Sequence, residues 1–161
     1  MESTPSRPVL GLPTRIGVGV IVLWAVLHLW VGVEGLRQFF VGSARSQWDM
    51  FLGGANAPKA AFVHATDAVT ANVHAHELVN FGVDVAGYGV LALVAAWMIQ
   101  TKASWTGYFL FLVVVGICDL AFLFSLVTSG IIELNAGTVG GPVLWFIACA
   151  LVPMGMPRRT A

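Results

Sequence analysis

The sequence predicts an all-α integral membrane protein: a four-helix bundle with both termini on the cytoplasmic side and a long external segment between the first two spans. Three observations carry this reading. Of the 161 residues, 58% are hydrophobic and only 10% are charged, whereas a soluble domain carries roughly a quarter charged residues. The apolar residues gather into four runs, each close to the roughly 20 residues that a helix needs to cross a bilayer. Lys and Arg fall unevenly on the two sides of those runs, which sets an orientation. Four spans and their connections fill residues 1–161 as a single transmembrane domain, leaving no room for a separate soluble catalytic domain.

Span one covers residues 16–40, an apolar run from Ile16 to Val33 that continues as helix past Glu34 and Arg37. A secretory signal has an apolar region of only about 7–15 residues, so this longer run reads as a retained span. Residues 42–75 form the external segment, where Gly53-Gly54 and Pro58 predict a turn followed by a helix starting near Pro58. Trp48, Met50, Phe51, Leu52 and Phe62 make this segment apolar enough to lie along the membrane surface or fold back over the bundle. Span two covers 77–99 and is interrupted by Asn80 and Asp84. The short turn Gln100–Ser104 then makes spans two and three antiparallel neighbours. Span three, 105–129, is the most apolar and contains Asp119; span four, 139–156, has Pro142 and Pro153 near its ends.

Arg7, Arg15, Lys102, Arg158 and Arg159 lie on one side of these spans, against Arg37, Arg45 and Lys59 on the other. Cytoplasmic loops carry the basic excess, so both ends face the cytoplasm and residues 42–75 face outward, as expected in a plasma membrane. The formal charge is zero, which excludes the basic surface that nucleic-acid binding requires. Cys118 and Cys149 sit inside apolar runs without a Cys-x-x-Cys spacing, so thiol oxidoreductase chemistry is not indicated.

Ionisable groups inside a span are costly and normally turn to the bundle interior and find a partner. Three lie deep: His28, Asp84 and Asp119. At about 1.5 Å per residue they stand about 9, 10 and 13 Å below the outer boundary, which predicts one convergent polar site in the outer half. Glu77, Asn80, Asp84 and Tyr88 share a face of span two by their spacing and join that candidate site. Gly82, Ala86 and Gly89, on the other side of the helix, are small enough to admit a neighbouring helix. The bland alternative is that these groups only glue helices: His28 to Asp84 or Asp119, and Glu34 to Arg37 as an i,i+3 pair.

A second cluster, His64, Asp67, His74 and His76, lies just outside, and imidazole with carboxylate suits a divalent metal such as zinc or copper. If 58–77 is one helix, His64, Asp67 and His74 share a broad face; the bland reading is a solvated helix entry. Bis-histidine haem ligation needs two deep histidines on facing helices, and only His28 is deep, so haem ranks low.

The layout resembles two broad groups of small four-helix membrane proteins, the DoxX-like proteins and the sterol-isomerase-like (emopamil-binding) group. In the latter, buried acidic and histidine side chains handle hydrophobic amines or shift a double bond. The expected function is a membrane-complex subunit or a binder of a lipophilic ligand. Against it stands a membrane enzyme acting on a lipid or isoprenoid-like substrate, with Asp84 or Asp119 as proton donor and His28 as base. An ion or proton path in an oligomer is the third alternative.

Overall fold

The computed structural model describes residues 9–51 and 65–157, and its elements there are all helical. They are α1 (Leu12–Val41), the short α2 (Ala44–Phe51), α3 (Ala68–Lys102), α4 (Trp105–Val127) and α5 (Ala136–Met154). Within α4 the stretches Leu110–Val115 and Leu123–Val127 are π-helical, on either side of an α-helical segment Gly116–Phe122. Among the described residues α1, α3, α4 and α5 are long and apolar enough to cross a bilayer. The turn expected at Gly53-Gly54, the helix start expected near Pro58, and His64 lie outside the described residues.

Helix ends follow local capping rather than hydropathy. Proline in the first turn opens α1, where its missing N–H has no intrahelical partner to lose. Ser43 and Ser46 exchange hydrogen bonds ahead of α2: the Ser43 amide donates to Ser46 Oγ at 2.8 Å and the Ser46 amide to Ser43 Oγ at 3.1 Å. The Asp67 carboxylate accepts from the Thr70 amide at 2.8 Å and starts α3. This corrects two expectations. Helix α3 begins at Ala68 rather than Glu77, because hydropathy marks only the part of a helix suited to lipid. Residues 58–77 are not one helix, because Asp67 is extended (φ −80°, ψ 141°). The α3–α4 turn is only Ala103–Ser104, with Ala103 left-handed at φ 46° and Ser104 Oγ accepting from the Gly107 amide at 3.1 Å. A capping box between Asn135 and Thr138 starts α5.

The closest seam joins α1 to α3. A Cβ on Gly89 would lie 3.0 Å from the Ala25 carbonyl oxygen, and one on Gly32 would collide with the Ala86 methyl. Gly82 faces Gly32 and Gly35 across the same seam. Small residues at such positions let backbones approach, the main source of attraction between helices when lipid removes the hydrophobic drive. Helix α5 closes the bundle against α1, where Thr14 Oγ1 donates to the Val152 carbonyl at 2.7 Å. Pro153 supplies no N–H to the Cys149 carbonyl four residues earlier, and the Tyr108 hydroxyl donates to that oxygen at 3.0 Å instead. Ile21, Trp24, Ala92, Ile99, Phe111, Val115, Ala148 and Val152 are fully buried in the half of the bundle away from α2. The buried Gln47 lies at the α2 end.

Candidate functional site

One buried carboxylate organises the interior. Asp119 is 3% exposed and sits on the α-helical segment between the two π-helical stretches of α4, an irregularity common where a helix presents functional groups. Its Oδ2 accepts a hydrogen bond from Trp24 Nε1 at 2.6 Å, and Trp24 is fully buried. Trp24 stacks on His28, one turn further along α1, with ring centroids 3.5 Å apart and planes 17° from parallel. The other face of the arrangement is a backbone. A Cβ on Gly141 would stand 2.8 Å from Asp119 Oδ1 and 3.1 Å from His28 Cε1, so glycine is what lets α5 close over the pair.

The hydrogen bonds fix the histidine tautomer. Its Nδ1 lies 2.8 Å from the Trp24 carbonyl oxygen. A carbonyl only accepts, so Nδ1 carries a proton. Nε2 then faces Asp119 Oδ1 at 3.7 Å, longer than a hydrogen bond but within ion-pair reach. The centre is a buried Trp–Asp–His group, where an unpaired polar atom is costly.

Directly above it lies a cavity of about 340 Å³. Val31, Phe122 and Thr138 line this cavity. Each stands three residues from His28, Asp119 and Gly141 respectively, toward the α2 end, which is about one helical turn. The walls are largely apolar, and Gln47 and Met50 of α2 contribute to them, so α2 folds back over the bundle. Gln38, Asn135 and Thr138 also line the cavity; no charged side chain does among the described residues.

The structure pairs His28 with Asp119 but does not bring Asp84 to them. Asp84 is exposed, and its Oδ2 accepts from Asn80 Nδ2 at 3.1 Å. The similar depths expected from common helix boundaries do not hold. Gly89 is the α3 residue that abuts Leu29, so Asp84 stands five residues, about 7.5 Å, nearer the α2 end than His28. Its face was also misassigned. The small residues Gly82 and Gly89 occupy the inward side of α3, and Glu77, Asn80 and Asp84 point out, with Tyr88 half-buried. The Glu34–Arg37 pair forms as expected: Arg37 Nη2 reaches Glu34 Oε1 at 2.6 Å.

Of the metal candidates, Asp67 caps α3, and the Thr70 amide bonding to it holds its carboxyl below the usual value. The ring of His74 meets Trp48 edge-on at 5.9 Å, and His76 Nδ1 donates to the Asn72 carbonyl at 2.8 Å. Among the described residues no three His, Cys, Asp or Glu side chains gather as a metal site.

Trp24, Gly141 and Gln47 escaped the sequence reading. Only Trp24 carried a signal, its i,i+4 relation to His28. No protein-family model, curated protein or solved structure matches the chain, so neither resemblance gains support. Fold and site together define a class: among the described residues, an all-helical architecture with four helices long and apolar enough to cross a bilayer and a buried Trp–Asp–His centre.

Proposed function

We propose that α1, α3, α4 and α5 span the plasma membrane, with α2 on the outer side and the termini in the cytoplasm, and that the protein binds a lipophilic ligand in the cavity beneath α2. The observation that carries this reading is the cavity of about 340 Å³, apolar-walled and free of charged lining among the described residues, above the buried Asp119. Small-molecule sites are typically apolar concavities of about 300–1,000 Å³ with a few placed polar groups. In this reading the Trp24–Asp119–His28 group ties α1 to α4 and keeps the cavity floor rigid. Acid/base chemistry on the ligand would require His28 or Asp119 to reach it, and neither lines the cavity. Native mass spectrometry of gently extracted protein should show one bound lipophile per chain, displaced when Phe122→Trp fills the space. No adduct in wild type, or adducts unaffected by that change, would overturn the reading.

A second reading, membership of a membrane complex, is favoured by the outward stripe of Asn80 and Asp84. An exposed carboxylate at span depth needs a cover beyond the Asn80 amide that bonds it. If a partner supplies that cover, Asp84→Leu should convert a larger species on native gels to the single chain. Unchanged migration would remove this reading.

A further inference from the structure

Three polar side chains are buried among the described residues: Thr14, Gln47 and Asp119. Two are satisfied. Thr14 donates to the Val152 carbonyl, and Asp119 accepts from Trp24. Gln47 is only 7% exposed and its side chain has no hydrogen-bond partner among the described residues, although a primary amide offers two donors and two acceptor sites. Leaving such a group unsatisfied in a buried place is unfavourable.

Gln47 lines the cavity, on the helix that roofs it. The neighbouring polar linings are engaged. Gln38 Nε2 donates to Glu34 Oε1 at 2.7 Å, Asn135 Oδ1 caps α5, and Thr138 Oγ1 donates to the Glu133 carbonyl at 2.6 Å. Gln47 is thus the unengaged side-chain amide facing an otherwise apolar volume.

Building on the lipophile-binding reading above, we propose that Gln47 is the head-group anchor for an uncharged lipophile bearing a hydroxyl or primary amide. Either head group can accept from Gln47 Nε2 while donating to Oε1, which satisfies both ends of the side chain at once. A carboxylate or ammonium would bring an uncompensated charge against walls that carry none, a heavy desolvation penalty. The arrangement also sets the direction of binding. The head group lies under α2 and the tail points toward Val31 and Phe122, above the Asp119 centre.

The test uses purified full-length protein with four ten-carbon probes, each dibrominated at the tail: an alcohol, an amide, a carboxylate and an ammonium. Trp30 lines the cavity, so binding is read as saturable fluorescence quenching lost in Trp30→Phe. The alcohol and the amide should bind at least tenfold more tightly than the charged pair. Gln47→Met keeps length and shape and should weaken the alcohol by about three- to tenfold, the effect of one or two net hydrogen bonds. It should also melt no lower than wild type, since it removes an unsatisfied group. Should Gln47→Met fail to fold, Gln47→Glu must gain the ammonium probe, whose charge the new carboxylate compensates. Equal binding of all four probes, or wild-type affinity in the variant, as for an amide served by water, would overturn the anchor while leaving the binder reading intact. No saturable quenching by any probe would overturn both.

Discussion

Gly140 and Gly141 are adjacent in α5 and offer a controlled experiment on the buried centre. A Cβ on Gly140 meets nothing within 4 Å, whereas one on Gly141 meets Asp119 Oδ1 at 2.8 Å, His28 Cε1 at 3.1 Å and His28 Nε2 at 3.4 Å. Replacing a mid-helix glycine with alanine gains up to about 1 kcal/mol from helix propensity alone. That gain is common to both sites and cancels in the comparison. What remains at Gly141 is overpacking against two side chains already held by Trp24, typically about 1–3 kcal/mol. Gly140→Ala should therefore be neutral or stabilising, and Gly141→Ala should unfold about 3–9 °C below it, taking about 3 °C per kcal/mol for a chain of this size. Part of that loss has another source, because Pro142 disfavours helical geometry in any non-glycine residue before it. A double-mutant cycle separates the two. In an Asp119→Ala background the carboxylate contact is gone, so the cost of Gly141→Ala should shrink while the proline component persists. Thermal unfolding in one detergent or nanodisc preparation measures all four corners. If Gly141→Ala were as stable as Gly140→Ala, the claim that α5 closes directly on the Asp119–His28 pair would fail.

The remaining predictions concern the same centre, the start of α3 and the orientation. Asp119→Ala should destabilise by about 3–5 kcal/mol, as removal of one partner from a buried pair does. Asp119→Asn, which can still accept from Trp24 Nε1, should lose far less, and equal losses in unfolding assays would refute the hydrogen-bonded geometry. The Thr70 hydrogen bond holds the Asp67 carboxyl below its ordinary value of 3.8. Capping of α3 should therefore be complete above that pH and lost as pH falls through the lower folded value. Protection of the Thr70 amide from exchange, relative to its intrinsic rate, should follow this course in wild type and become independent of pH in Asp67→Asn, which still caps; a protection profile unchanged in the variant would count against the cap. With Cys118 and Cys149 replaced, a cysteine at Ser46 should react with an impermeant thiol reagent in intact cells and one at Ala103 should not; the reverse pattern would invert the orientation.

Four apolar runs were legible because a helix suited to cross a bilayer must satisfy its backbone internally and shed charge. The helix ends were less legible. Asp67, Ser104 and Asn135 set them by side-chain capping that hydropathy does not register. Of the candidate site, the pairing of His28 with Asp119 was within reach of a cost argument, since each is too expensive to leave alone in lipid. Its Trp24 partner carries only the i,i+4 relation to His28, because a tryptophan in an apolar run otherwise reads as bulk until its indole N–H is seen to have a target. Gln47 was hidden for the same reason on a short helix: composition does not say which of its faces turns inward.

Asp84 shows where cost alone misleads. The polar face of span two was assigned inward on the ground that charge avoids lipid, yet α3 turns Gly82 and Gly89 to α1 instead. The helical geometry allows only one of the two. Two residues separate Gly82 from Asp84, a rotation of about 200° at 3.6 residues per turn, so burying the small-residue seam turns the carboxylate away from α1. The seam wins within the single chain because backbone approach is a short-range gain summed along the helix, from Gly89 against Ala25 to Gly82 against Gly35. The carboxylate still has recourses outside the chain's own core: its bond from Asn80, water near the membrane boundary, or a neighbouring helix. An acid opposite a small-residue seam is thus a surface feature of the bundle. Asp119 has no such seam competing for its face, and it is the acid that goes inside.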